Sequence, residues 1–467
     1  MKLATHHDDA RRALAAMGVW LAVLSLAGCG GSEHKAQPRR VAFAYSNDLW
    51  GEIRSCGCAE HDLGGLGRRA TFLKAVADTA GDMLLVDSGD FFGSSINYGV
   101  EKADVTLKSM ALMGYHGVVI GEDELGFGLD FIVRRSREAR LPIVVANLYD
   151  VVADTLIFPP SRVVTLPSGL RVGIVGVMSP AIPLPPQVPE GTLELRDPLA
   201  AAQPEVDRLR GEADLVVVLA HMTRGEGQRF AQSLQGVDVV FHGHDGKPMR
   251  QLRQFGDAYL LELAARGLYM GVAYATLGAD GRIASMQDAA VPMDDRFPDD
   301  EAIARLFQAY DFDIASKERA TLPTGVTNVR NLAHRPFTGA DACKECHTGI
   351  YDAWSETRHA HAWSTLTDLS REYDRDCTPC HTVGFYKNGG FENLVATPNL
   401  TGVQCESCHG NGAEHTANPE VKTGVEARAQ CQGCHTAEQS PDFAFEAFWK
   451  RIDHGREGAP AGASNGR

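Results

Sequence analysis

Eight cysteines in the last third of the chain share one pattern: Cys343-x-x-Cys346-His347, Cys377-x-x-Cys380-His381, Cys405-x-x-Cys408-His409 and Cys431-x-x-Cys434-His435. Two thiols at this spacing reach the two vinyl groups of one porphyrin. The adjacent histidine supplies an iron ligand from one face, so C-x-x-C-H is the attachment pattern of c-type haem. Zinc knuckles also use paired C-x-x-C, but zinc does not require a histidine after every pair. The pattern predicts four covalently bound haem c groups. No methionine follows Met293, so methionine ligation, which raises haem potential, has no local source. The other histidines of this region are His334, His359, His361, His415 and His454. We expect mostly bis-histidine haems of fairly low potential. His359, His415 and His454 are the expected distal ligands, with His334 and His361 as spares.

The first haem motif continues into Trp354-Ser355-Glu356-Thr357-Arg358-His359, and the third into Gly410-Asn411-Gly412-Ala413-Glu414-His415. These stretches, with His454 near the end, resemble the tetrahaem cytochrome c-554 family over about residues 335–456. The resemblance implies periplasmic electron transfer through stacked haem pairs, with one iron that can be five-coordinate.

Upstream, β-rich runs alternate with amphipathic stretches. The runs at 41–46, 82–90, 117–123, 142–148, 171–177, 214–221 and 237–244 read as buried strands, and 68–80 and 104–115 as helices. Polar residues cluster at the strand ends, where α/β folds place ligands. The order resembles the calcineurin-like metallophosphoesterase domain of bacterial 5′-nucleotidases, which holds two metals. The resemblance implies metal ligands at Asp48, Asp90, Glu122, His221 and His244, with Asp123 in place of a histidine that stabilises the leaving group. Trp50 and Gly246 stand where two further histidine ligands are expected. One position would keep only Asp48 and Asp90. The other keeps Asp90, His221 and His244 with Glu122, enough for one divalent metal ion but not for a two-metal clamp. A metal-free relic, in which these groups hydrogen-bond one another, is the alternative.

Cys56 and Cys58 form a C-x-C pair just after the altered first metal motif. A disulfide across so short a loop is strained. Free thiols with redox or sulfur chemistry, a metal site, or two small residues in a turn all remain open. Cys56, Cys58 and Asp123 are the catalytic candidates. Gly64, Gly65 and Gly67, with Arg68 and Arg69, read either as a helix opening toward an anion or as plain turn chemistry.

The apolar run Ala13–Ala27 follows Arg11 and Arg12, is too short to span a bilayer comfortably, and ends in Leu26-Ala27-Gly28-Cys29. This resembles a bacterial lipobox with Cys29 as the lipidated residue. The expectation is an exported lipoprotein on the periplasmic side of a membrane, the outer one preferred because Gly30, not Asp, follows the cysteine. The 45 Lys plus Arg against 60 Asp plus Glu give a charge of −15, which argues against nucleic acid as a partner and leaves the membrane surface and redox proteins.

The expected domains are a signal peptide (1–28), a tether (29–40), the nucleotidase-like domain (41–315), a linker (316–340), the tetrahaem domain (341–456) and a disordered tail (457–467). The expected fold is an α/β metallophosphoesterase-like β-sandwich flanked by helices, followed by a small, mostly helical and irregular multihaem cytochrome c domain. Electron transfer with a degenerate phosphoesterase domain is the preferred function. A metal-dependent hydrolase, or a sulfur-oxyanion redox enzyme fused to an electron-transfer domain, is the alternative.

Overall fold

The computed structural model describes residues 39–55, 62–93, 99–245, 252–320, 336–369, 371–374, 377–422, 427–436, 440 and 442–454. Cys29, Cys56, Cys58, Gly246 and His334 lie outside the described residues, as do the expected signal peptide and tail. The chain divides between Phe307 and Gln308 into two compact units. That division falls within a helix, Glu301–Ala320.

The strands of the first unit, in chain order, are β1 (Arg40–Ser46), β2 (Met83–Asp87), β3 (Gly117–Val118), β4 (Leu148–Asp150), β5 (Thr155–Leu156), β6 (Ser161–Thr165) and β7 (Arg171–Met178). They continue as β8 (Leu193–Leu195), β9 (Leu215–His221), β10 (Val239–Gly243), β11 (Arg253–Phe255), β12 (Ala258–Glu262), β13 (Tyr269–Leu277) and β14 (Ile283–Pro292). The helices are α1 (Leu66–Ala80), α2 (Gly99–Met113), α3 (Glu122–Leu125), α4 (Leu129–Ala139), α5 (Pro198–Arg210), α6 (Arg224–Ser233) and α7 (Glu301–Ala320).

A five-stranded sheet runs β14-β13-β1-β2-β3, and a six-stranded sheet β11-β12-β10-β9-β7-β6. Their central strands are parallel, and β9 is buried along its whole length, as strands covered on both faces must be. The two sheets face each other through β1 and β10: Phe241 packs on Phe43 and Tyr45 with ring centroids 6.0 and 5.4 Å apart. Helices α5 and α6 cover the six-stranded sheet, packing Val206, Leu209, Phe230 and Leu234 against Val216, Val218 and Leu260. Asp197 starts α5 by accepting the Ala200 N–H at 2.7 Å, with Pro198 following. The result is the helix-flanked β-sandwich expected.

The details differ in two places. Of residues 142–148 only Leu148 joins a ladder strand, as the start of β4; Ile143 makes one bridge to Val118, and the Val145 and Ala146 N–H groups bond Pro159 and Gly176 carbonyls instead. Strands β5, β6, β8 and β11 to β14 fall outside the runs expected. In β13 the small residues Gly271, Ala273 and Ala275 replace the bulky alternation that marks a strand. Gly271 is required: a Cβ there would lie 2.2 Å from the Tyr45 ring.

The second unit carries short helices: α8 (Asp341–Lys344), α9 (Thr348–Ser355), α10 (Ala362–Asp368), α11 (Cys405–His409), α12 (Ala413–Ala417), α13 (Ala427–Cys434) and α14 (Phe445–Ile452). Helices this short are marginal in water without packing. Their apolar core is small, formed by Phe337, Val383, Phe391 and Leu400.

Candidate functional site

Strand ends of both sheets converge on one cluster in the first unit. Asp90 follows β2, Glu122 opens α3, His221 ends β9 and His244 follows β10. Each offers one ligand atom, and the four atoms lie within 4.8 Å of one another. His221 Nε2 is 2.9 Å from Glu122 Oε2 and 3.5 Å from Asp90 Oδ2. His244 Nδ1 is 3.1 Å from Glu122 Oε1 and 3.8 Å from Asp90 Oδ2, yet makes no aligned hydrogen bond. Its lone pair thus faces the middle of the cluster, which suits a cation. The other nitrogen of His221, Nδ1, donates to the Ser88 carbonyl at 2.8 Å, which fixes the ring with Nε2 toward the cluster.

The backbone around this cluster is held in an uncommon conformation. Asp48, Trp50, Asp90, His244 and Arg266 all have φ between 49° and 97°. Side chains rarely occupy that region, and they concentrate at functional sites when surrounding bonds enforce it. Those bonds are present: the Trp50 N–H donates to the Asp90 carbonyl, and the Arg266 N–H to the Asp48 carbonyl. Asp48 does not join the four ligand atoms. Its carboxylate accepts the His244 N–H at 2.9 Å and the Asn47 side-chain amide at 2.7 Å.

Charge is concentrated here. Burial opposes protonation of His221, but Asp90 and Glu122 outweigh it and push the imidazole up to about 10. Contacts with Asp90 and Glu122 push His244 up to about 10 as well. Burial, then Asp90 and Glu122, pushes Asp123 up to about 7. Without a cation, protons on the two histidines supply the positive charge the carboxylates need; a bound metal takes their place.

In the second unit, histidine rings face each other in pairs. His347 opposes His415 at 6.1 Å between centroids, His435 opposes His359 at 6.2 Å, and His409 opposes His454 at 5.8 Å. Two imidazoles on opposite sides of one metal, each with a metal–nitrogen bond of about 2 Å, have centroids about 6 Å apart. The pairs therefore fit bis-histidine iron. Among the described residues no ring opposes His381, whose Nδ1 donates to the Ala362 carbonyl at 2.6 Å. His415 Nδ1 likewise donates to the Val421 carbonyl at 2.7 Å, leaving Nε2 as the ligand atom. The side chains of Cys343 and Cys405 lie beside each other, as do those of Cys380 and Cys434. The first and third motifs are thus neighbours, as are the second and fourth, and α11 also packs on α13, which joins the third motif to the fourth.

Residues 342–410 match the family described as cytochrome c554 and c-prime. Cytochrome c-554 of Nitrosomonas europaea is 32% identical over 149 residues, 27% of this chain and 62% of that protein. The 5′-nucleotidase of Bos taurus is 28% identical over 222 residues, 45% of this chain and 38% of that protein. The chain fuses a 5′-nucleotidase-like domain to a cytochrome c-554-like domain. The structure of a 5′-nucleotidase precursor from Thermus thermophilus superposes with a TM-score of 0.53 at 21% identity, covering 69% of this chain and 68% of that one. That likeness shows that the first unit shares the fold of this 5′-nucleotidase structure. The chain spans less than two thirds of either sequence relative's length.

The cytochrome c relationship implies covalently bound haem c, and the opposed imidazoles fit it. The family match ends before Cys431 and His435. Within the nucleotidase-like domain, the glycine-rich turn before α1 is turn chemistry and not an anion site. Arg68 pairs with Asp62 at 2.5 Å, and Arg69 is buried and donates to the Tyr115 hydroxyl at 3.1 Å. Two residues support the sites in a way that side-chain spacing does not reveal. Glu124 is fully buried and accepts the N–H groups of Asp90, Phe92 and Gly121 at 3.0, 2.7 and 2.7 Å. Glu406 plays a similar part in the cytochrome-like domain. Both bond backbone amides, which leave no trace in side-chain spacing; only a carboxylate inside an otherwise buried segment hints at them.

Proposed function

We propose that this protein is a membrane-anchored periplasmic electron carrier with four haem c groups. The observation that carries the reading is the set of opposed imidazole pairs beside C-x-x-C-H motifs. Cys343 and Cys346 would hold one haem between His347 and His415, Cys405 and Cys408 one between His409 and His454, and Cys431 and Cys434 one between His435 and His359. Cys377, Cys380 and His381 would hold the fourth, for which no second histidine stands among the described residues. When bound, each haem supplies one-electron chemistry. The chain's own part is to fix the imidazoles through Nδ1 and to bring the motifs side by side. Cys29 would carry the lipid, and the acidic chain would dock partners through a basic surface.

Pyridine haemochrome analysis of the purified full chain should give four haems, and spectroscopy three low-spin and one high-spin. Fewer than three haems would overturn the reading. Labelled fatty acid should enter the parent but not Cys29→Ser.

A second reading is favoured by the Asp90, Glu122, His221 and His244 cluster. It would hold one divalent cation able to polarise an oxygen of a phosphoryl or sulfur-oxyanion substrate. With Trp50 and Gly246 at the other ligand positions, we infer that the two-metal chemistry of an ordinary phosphoesterase is lost. Turnover of phosphate esters at ordinary enzymatic rates would sink that inference.

A further inference from the structure

Glu406 lies inside the third haem motif, next to Cys405, and is only 4% exposed. Its carboxylate accepts N–H groups from three backbone positions. Thr338 donates at 3.0 and 3.1 Å to the two oxygens, Gly339 at 2.8 Å and Gly412 at 2.7 Å. The Thr338 hydroxyl approaches at 3.5 Å. Among the described residues no lysine or arginine forms an ion pair with it. A carboxylate whose partners are N–H donors is hydrogen-bonded as an anion. Among the described residues this negative charge is therefore buried without a countercation.

Its position is specific. Thr338 and Gly339 lead into α8 and Cys343; Gly412 leads into α12 and His415. Cys343 also feels the Glu406 charge directly, as does Cys405. Glu406 thus sits where the first and third motifs meet. The neighbouring pair of motifs has a different setting. There the charge of Arg371 acts on His381, and Asp374 balances Arg371 at 2.8 Å.

We propose that Glu406 is a potential-setting residue: its buried charge holds the haems of Cys343–His347 and Cys405–His409 at lower potential than the other two. The inference rests on the four-haem reading. A ferric haem carries one more positive charge than a ferrous one. A fixed anion nearby in a poorly screened interior favours the ferric state and lowers the midpoint. Glu406 acts through space and through the segments it ties, so it is a positioning and charge-setting residue.

The test is spectroelectrochemical titration of the full holoprotein. Glu406→Gln should shift two of the four haem transitions upward together while spin state and haem count stay unchanged. Because Gln places an amide against N–H donors, Glu406→Asp and Glu406→Asn form a second comparison, equal in length and differing by one charge. The Asn variant should titrate higher than the Asp variant at the same two haems. Unshifted midpoints in both comparisons, with haem count intact, would overturn the inference and leave the four-haem reading standing. A shift that accompanies conversion of a bis-histidine haem to high spin would also overturn it, since His415 would then have moved. A parent chain with fewer than three haems would overturn the four-haem reading itself.

Discussion

Glu124 shows at the residue scale how a ligand set is built. Asp90 has a left-handed backbone, with φ 54°, that an aspartate does not adopt unaided. The Glu124 carboxyl captures the N–H groups of Asp90 and Phe92, on both sides of Phe91, so Asp90 is held by a side chain that is not among the four candidate ligands. Supporting partners of this kind typically matter about 10–100-fold in metal affinity. Glu124→Gln in the full chain should therefore weaken binding of manganese or zinc by that factor, measured by equilibrium dialysis with metal analysis. Unchanged affinity would mean that the loop holds itself. The four ligand types were legible in the sequence because metal chemistry demands particular side chains at strand ends. The supporting tasks of Glu124 and Ser88 were not, because they act on or through the backbone, which side-chain spacing does not report. Asp48 differs: its carboxylate lies outside the four-atom cluster and accepts the His244 N–H.

At the scale of elements, the edge of the five-stranded sheet holds a charge in the wrong place for neutral pH. The Tyr45 hydroxyl on β1 donates to Asp288 on β14 at 2.9 Å. Burial pushes Asp288 from 3.8 up to about 6. A raised carboxylate contributes stability that is complete below its unfolded value and is lost as pH climbs through the folded value. Between about pH 4 and pH 6.5 the first unit should thus lose on the order of 2 kcal/mol from this group. In Asp288→Asn that pH-dependent loss should shrink, because Asn cannot ionise and still accepts from Tyr45. Urea unfolding of the full chain, followed by circular dichroism at pH 4 and pH 7, reads the difference. Equal pH dependence in parent and variant would exclude Asp288 as its source. The same edge explains why β13 and β14 were harder to read than β9. Leu215–His221 is buried on both faces and reads as a continuous apolar run, whereas β14 is largely half-exposed and β13 trades bulk for close approach at Gly271.

At the scale of the molecule, composition and motif spacing speak about different things. The haem motifs were fully legible because covalent attachment tolerates no substitution of residue type. The pairing of rings was not, since His347 meets His415 and His435 meets His359 across long stretches of chain, and only the fold brings them together. Charge behaves in a third way: it is a sum over the whole surface, with no site. The chain carries −15 before any haem propionates are added. A net charge of this sign would attract basic proteins over a distance set by the Debye length, about 30 Å at 0.01 M salt and about 10 Å at 0.1 M. Electron transfer from the reduced holoprotein to a small basic soluble cytochrome should therefore be fast at low salt and fall by roughly one to two orders of magnitude by about 0.2 M. An acidic acceptor should show the opposite trend, weaker in magnitude, because repulsion is screened by the same ions. Stopped-flow rates with the two acceptors across a salt series separate the charge from the haem potentials. Salt leaves the driving force nearly constant, so a basic acceptor whose rate ignores salt would show that the acidic surface takes no part in docking.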